Sequence, residues 1–174
     1  MQTVLQTERL VLKPVDEALL DSAYAYAGNP ENAKMMIFLP HADKAETERL
    51  LREAAAEWQK EQPVYYEFGI FFEEKHIGAI TVYRLDEPGS SELGWILHKD
   101  YWNRGFVTEA AKAAIRFSAE MLGLRRIIAC CDSANPASYR VMEKLGMKLI
   151  KNDGVRKNRI AENESTELTY ELLV

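Results

Sequence analysis

A polar turn that runs directly into a helix, at residues 101–110, sets the first limit on how this chain can fold. It follows the apolar run 93–97, and the residues after it are apolar at helical spacing: Val107, Ala110, Ala114, Phe117 and Met121. Gly105 lets the backbone approach a ligand closely, and the free N–H groups at a helix start attract anions. Arg104 adds a cation. The turn therefore predicts a phosphate or pyrophosphate site, or else an ordinary strand–turn–helix junction.

Length and charge limit the class of protein. With 174 residues, the chain is expected to form one domain, 1–174, with a full hydrophobic core. The net charge of −5 argues against a protein that wraps nucleic acid. No run of about 20 apolar residues is present, and the first residues lack a secretory signal. We therefore expect a cytoplasmic protein with no nucleic-acid or membrane partner.

The cysteines and histidines carry no metal-ligand pattern. Cys130 and Cys131 are adjacent, so on a strand they point to opposite faces, and we expect both to be reduced. The three histidines lie far apart in the sequence, at His41, His76 and His98. We therefore expect no metal site.

Hydrophobic periodicity predicts an alternation of strands and helices around the turn. Strands are expected at 9–14, 65–72, 76–83, 91–97, 125–131, 147–152 and 166–173. Helices are expected at 16–27, 44–62, 108–122 and 136–145. The charged stretch 156–164 is expected to be a hairpin loop, and the apolar segment 35–40 either a core-facing loop or a pocket wall. Because a helix joins strands 91–97 and 125–131, these two are predicted to be parallel.

A second polar segment follows the strand at 125–131. Asn135 is a good N-cap with Pro136 in the first helical position. Ser138 then falls at the third helical position, with its hydroxyl still in the first turn.

Four segments of the chain together resemble the GNAT acetyltransferases, in the RimJ/RimL branch of ribosomal-protein N-terminal acetyltransferases. They are TERLVLKP at 7–14, ELGWI at 92–96, the turn at 101–110, and Asn135 and Ser138 followed by KLG at 144–146. They recur in the family's order and cover nearly the whole chain. The resemblance implies an α/β (α+β) fold with a mixed, mostly antiparallel sheet of about seven strands and helices on both faces. Strands 4 and 5 would splay apart to admit acetyl-CoA.

The resemblance also implies which residues bind acetyl-CoA. The pyrophosphate would lie on the turn and helix start, held by the amides of Arg104, Gly105, Phe106, Val107 and Thr108. The family's pattern there, Gln/Arg-x-x-Gly-x-Gly/Ala, falls on Trp102, Gly105 and Val107 and keeps only the central glycine. Backbone amides still suit an anion at this point. The pantetheine arm would pair with the backbone of Ile96, Leu97 and His98, and Asn135 would contact the cofactor.

The reaction implied is direct attack of an amine on the thioester. It requires a neutral amine, which is easier for an α-amine with a pKa of about 7.7–8.0 than for a lysine near 10.4. Glu92, a carboxylate at the start of an otherwise apolar strand, is the candidate base; it could equally be a solvated strand-end residue. Many family members use a tyrosine as acid, but Met142 occupies that position. Ser138 is the candidate acid, or simply a helix-start hydroxyl that bonds locally.

Three functions are compatible with these residues. The first is an acetyl-CoA-dependent N-acetyltransferase acting on a peptide or protein N-terminal α-amine. The second is an acetyltransferase for a small amine such as a polyamine, an amino acid or an antibiotic. The third is a non-catalytic acyl-CoA-binding sensor. The expected partners are acetyl-CoA and the amine acceptor, with a homodimer through segment 35–40 as a further option.

Overall fold

The computed structural model describes residues 3–174 of the chain. These residues form an eight-stranded sheet with helices packed on it. The strands are β1 (Leu5–Gln6), β2 (Leu10–Pro14), β3 (Tyr65–Phe72), β4 (Lys75–Arg84), β5 (Ser90–Leu97), β6 (Arg126–Asp132), β7 (Lys148–Arg156) and β8 (Ser165–Leu173). Their order is β1-β2-β3-β4-β5-β6-β8-β7, and only β5 and β6 pair in parallel. The predicted mixed, mostly antiparallel sheet is confirmed. The short edge strand β1 brings the number of strands to eight instead of about seven.

Five helices cover the two faces of this sheet in the described part of the chain. They are α1 (Leu20–Ala27), α2 (Pro30–Ala33), α3 (Lys44–Glu57), α4 (Phe106–Glu120) and α5 (Pro136–Lys144). Helices α4 and α5 pack on one face, in the core that contains Phe68, Leu93 and Phe106. Helices α1 and α3 pack on the other face, against Ala79 and Ile96. The predicted arrangement of helices on both faces is therefore present.

Several predicted boundaries differ from the structure, among them the ends of α3 and β7. Helix α3 ends at Glu57, not at residue 62, because the Glu57 carboxylate accepts the Val64 N–H at 2.6 Å and closes the chain into a turn. Strand β7 continues to Arg156, four residues beyond the predicted end at 152. Arg156 was expected in a hairpin loop, yet its side chain is buried. Three hydrogen bonds from the guanidinium, to Asn158, Glu167 and the Met35 carbonyl, compensate for the water that it loses on burial.

The two parallel strands separate soon after they begin to pair. Strands β5 and β6 are matched over three residue pairs, Ser90 with Arg126, Ser91 with Ile127, and Glu92 with Ile128. Beyond Glu92, β5 continues to Leu97 beside β4, while β6 continues to Asp132 beside β8. A gap therefore opens in the sheet after Glu92. This gap is the predicted splay, since β5 and β6 are the fourth and fifth of the strands expected from the sequence.

Candidate active site

The turn into α4 presents free backbone N–H groups. Gly105 is the N-cap of α4 and has φ +78°. Residues other than glycine adopt this left-handed conformation only with backbone strain. The first hydrogen bond of the helix runs from the Glu109 N–H to the Gly105 carbonyl at 3.1 Å. The amides of Phe106, Val107 and Thr108 precede it and so have no partner within the helix. These free amides are compatible with the anion site that the sequence predicted.

Two arginines lie beside these amides. The Arg104 guanidinium stacks over the rings of Phe72 and Phe106, at 5.1 and 4.8 Å from their centroids. Arg9 lies 4.6 Å from the Phe106 centroid and donates to the Arg104 carbonyl at 3.0 Å. Glu109 neutralises Arg9 through an ion pair of 2.7 Å, whereas Arg104 has no carboxylate partner within residues 3–174. Arg104 therefore remains the available cation, and Arg9 fixes the turn. Sequence reasoning missed Arg9 because it lies in the bend between β1 and β2, 95 residues before Arg104.

Trp102 has a structural role at the position where the family pattern has a polar side chain. Its indole N–H donates to the Leu97 carbonyl at 2.8 Å, and the buried Asn32 donates to the same carbonyl at 2.6 Å. The turn is thereby attached to the end of β5. Anion binding by side chains of the motif is lost at this position, while the backbone geometry is retained.

The backbone of β5 is only partly available to a pantetheine arm. The His98 N–H donates to Ile77 at 2.8 Å, and alternate residues of a strand direct their backbone groups to the same side, so Ile96 also faces β4. The Leu97 carbonyl faces the other side but already accepts two hydrogen bonds. The expected use of Ile96 and His98 does not fit this register. Trp95, which sequence reasoning missed, directs its backbone groups toward the gap.

The start of α5, which follows β6 in the chain, lies on the β6 side of the gap. The Asn135 side chain accepts the Ser138 N–H at 3.2 Å, which is the predicted N-cap. Ser138 lies beside the Cys131 thiol of β6. Burial raises the pKa of Cys131 to about 11, although Arg156 and the Ser138 hydroxyl oppose that shift. Both groups are on the sheet face that α4 and α5 cover, since Cys131 belongs to that core.

Glu92 lies at the point where the gap begins, on the other face of the sheet. It is the last residue of β5 that pairs with β6, and on its other side it is matched with Tyr83 of β4. Burial raises the pKa of Glu92, the nearby Glu167 raises it further, and Arg156 and Cys130 oppose the shift. A carboxylate with a raised pKa is a better proton acceptor near neutral pH. Glu92 and Ser138 therefore approach the gap from opposite faces.

The buried Arg156 connects the surroundings of Glu92 to the loop after β7 and to segment 35–40. Arg156 donates to Glu167 at 2.9 Å, to Asn158 at 2.8 Å and to the Met35 carbonyl at 3.2 Å. It thus ties the loop after β7 to segment 35–40 and also contributes to the electrostatics of Glu92. No motif marked this residue, because its partners are scattered along the chain.

Segment 35–40 is in part the core-facing loop that the sequence suggested. Leu39 is buried in the core under α1 and α3, whereas the side chain of Phe38 is 77% exposed. Arg159 donates its backbone N–H to Met36 at 2.9 Å and its guanidinium to the Phe38 carbonyl at 2.9 Å. The segment is therefore an anchored loop with one exposed aromatic ring.

Within residues 3–174, no group of three or more His, Cys, Asp or Glu side chains is arranged to hold a metal ion. None of the helices in this described range is long and apolar enough to cross a membrane.

A sheet that opens between two parallel strands, with an anion-binding helix start beside the opening, is the arrangement that the sequence motifs predicted. Residues 9–148 match the family model described as an acetyltransferase (GNAT) domain. The chain therefore belongs to the GNAT acetyltransferase family. The expected family, fold and enzyme class are confirmed.

Relatives of known sequence or structure agree with this assignment. The chain is 27% identical to the N-acetyltransferase p20 of Bacillus licheniformis over 150 residues, covering 83% of this chain and 82% of p20. It is 40% identical to the N-acetyltransferase YnaD of Bacillus subtilis (strain 168) over 72 residues, which span 41% of this chain but only 42% of YnaD. The structure of RimL, a ribosomal L7/L12 α-N-protein acetyltransferase, in complex with coenzyme A superimposes with a TM-score of 0.83. It covers 99% of this chain and 98% of RimL at 16% identity, so this likeness concerns the fold.

Proposed function

We propose that the protein transfers an acetyl group from acetyl-CoA to the α-amine of a peptide or protein N-terminus. The observation that carries the proposal is the gap between β5 and β6, with Glu92 on one face and Ser138 on the other. RimL, which has the same fold, is an α-N-protein acetyltransferase. We extend this activity of RimL to the present chain as part of the proposal.

The residues around the gap suit acetyl-CoA. The amides of Phe106, Val107 and Thr108, together with Arg104, would hold the pyrophosphate at the start of α4. The backbone of Trp95 would pair with the pantetheine arm, and the Asn135 amide N–H₂, which has no partner within the described residues, would donate to it. When bound, the cofactor supplies a thioester carbonyl for the amine to attack.

Glu92 and Ser138 would divide the proton transfers between them. As the N–C bond forms, Glu92 accepts the proton that the amine loses, directly or through a water. As the C–S bond breaks, the Ser138 hydroxyl donates to the departing sulfur. The placement of the two groups on opposite faces fits this division, because the amine adds to one face of the planar thioester carbonyl while the C–S bond lies in that plane, so the proton acceptor and the proton donor are needed at different positions.

The class of acceptor, peptide or small amine, can be determined by a thiol-release assay. We would measure thiol release from acetyl-CoA with a panel of N-terminal peptides and of small amines that includes polyamines and amino acids. Peptides are expected to give the highest kcat/KM. Preference for a small amine would replace the peptide assignment. Tight coenzyme A binding without turnover on any acceptor would leave only a sensor.

A further inference from the structure

A carboxyl group on β3 has no protein partner. Among the described residues, Glu67 makes no side-chain hydrogen bond and no ion pair. The two carboxylates that are fully buried in the described residues do have partners: Glu57 binds Lys60 and the Val64 N–H, and Asp132 binds Ser165 and Asn158. Charged groups removed from water are normally paired, so the isolation of Glu67 requires a reason.

Glu67 lies deep in the protein but is not sealed from solvent. Burial raises its pKa to about 7, yet its side chain keeps part of its accessible surface. Tyr83 shows the same combination, because burial raises its pKa to about 12 while 40% of the residue remains exposed. Both residues are therefore largely surrounded by protein but reach solvent on one face of the sheet.

Glu67 and Tyr83 are on the same face of the sheet as Glu92. Glu67 is matched with Thr81 on β4, and Thr81 with Gly94 on β5, directly after Glu92 and Leu93. Two strand spacings of about 4.8 Å place the Glu67 backbone roughly 10 Å from the Gly94 backbone, where the gap lies. The other ionisable side chains that face Glu67 are phenols, Tyr26 from α1, Tyr65 from β3 and Tyr83 from β4. No cation of the described residues reaches it.

We propose that Glu67 binds a cationic group of the acceptor, about one residue away from the amine that reacts. This inference rests on the proposed function and adds a substrate class to it, namely acceptors with a second positive charge. A bound cation would give the carboxylate the partner that the protein does not supply. An acceptor without that charge would leave Glu67 protonated and would gain no ion pair.

Paired peptides test this preference. We would compare the tetrapeptide amides Ser-Lys-Ala-Ala and Ser-norleucine-Ala-Ala, which differ only in the charge of the second residue. In the wild-type protein the lysine peptide should have a kcat/KM roughly tenfold higher, a typical effect of one partly desolvated ion pair. Glu67→Gln should bring the ratio close to one. Glu53→Gln, which changes an exposed carboxylate of α3 paired with Arg49, should leave the ratio unchanged.

A readout independent of turnover separates the two proposals. In wild-type protein with ¹³C-labelled glutamate, saturation with the lysine peptide should lower the pKa of Glu67, and the norleucine peptide should not; the Glu67→Gln spectrum assigns the signal. If no acceptor is acetylated but this shift is seen, the proposed function fails and the binding site stands. If the pKa of Glu67 does not move at the highest soluble concentration of the lysine peptide, the Glu67 proposal is overturned whatever the kinetics show.

Discussion

At the scale of single residues, the base can be separated from the rest of the site by its pH dependence. Glu92 has to be deprotonated to accept a proton, and its pKa is raised, so kcat/KM should rise with pH through that raised value. Glu92→Gln should lower kcat by about 10²–10⁴-fold and remove that limb of the profile. Coenzyme A affinity should hardly change. An identical pH–rate profile in the variant would exclude Glu92 as the base, and Glu120→Gln, at an exposed position of α4, serves as the control.

The unpaired Glu67 also predicts a pH dependence of stability. Its pKa is raised from 4.5 to about 7, so the folded state binds more protons than the unfolded state between these values. Its contribution to stability is therefore full below pH 4.5 and is lost as the pH rises toward 7, by at most about 3 kcal/mol. Glu67→Gln should flatten this dependence and unfold at higher urea concentration than the wild type at pH 8. Equal differences between the two proteins at pH 4.5 and 8 would contradict the raised pKa.

At the scale of elements, the start of α4 can be tested against a second glycine of the same helix. Gly105 and Gly123 lie at its two ends with φ +78° and +66°, and an added Cβ has room at both. Alanine at either position should therefore cost a similar backbone strain, about 1 kcal/mol in urea unfolding. Only Gly105→Ala should weaken coenzyme A binding in calorimetry, because only that end presents amides to the cofactor. Equal affinity of the two variants would remove the anion site from the start of α4.

The loop connection through Arg156 has its own signature. Because Arg156 opposes the rise in the pKa of Glu92 and pairs with Glu167, Arg156→Met should raise the pKa of Glu92 further. The rising limb of kcat/KM should then move to higher pH, together with a loss of about 3–5 kcal/mol of stability for breaking a buried ion pair. Arg159→Met is the matched control, since Arg159 ties the same two loops but pairs with Glu46. A shift of the limb in both variants would point to loop order rather than to charge.

At the scale of the whole molecule, local signals predicted the sheet, and long-range contacts decided the site. Periodicity placed every strand except β1, and the Asn135 cap was correct because it depends on residues next to each other. The backbone register of β5 depends on its pairing with β4, so the sequence could not show that Ile96 faces away from the gap. Arg9, Arg156 and Glu67 were missed for the same reason. The role of each depends on a partner, or on the absence of one, in an element that is distant in the sequence.

The narrow joint between the two halves of the sheet leads to the last prediction. Strands β1–β5 and β6–β8 are linked within the sheet by only three residue pairs, so opening should occur most easily at the gap. Coenzyme A would bridge that gap through its pantetheine arm and should slow amide hydrogen exchange at 93–97 and 129–132 on both sides. Adenosine 3′,5′-diphosphate lacks the arm and should protect only the start of α4. Protection confined to α4 with both ligands would show that the pantetheine arm does not lie between β5 and β6.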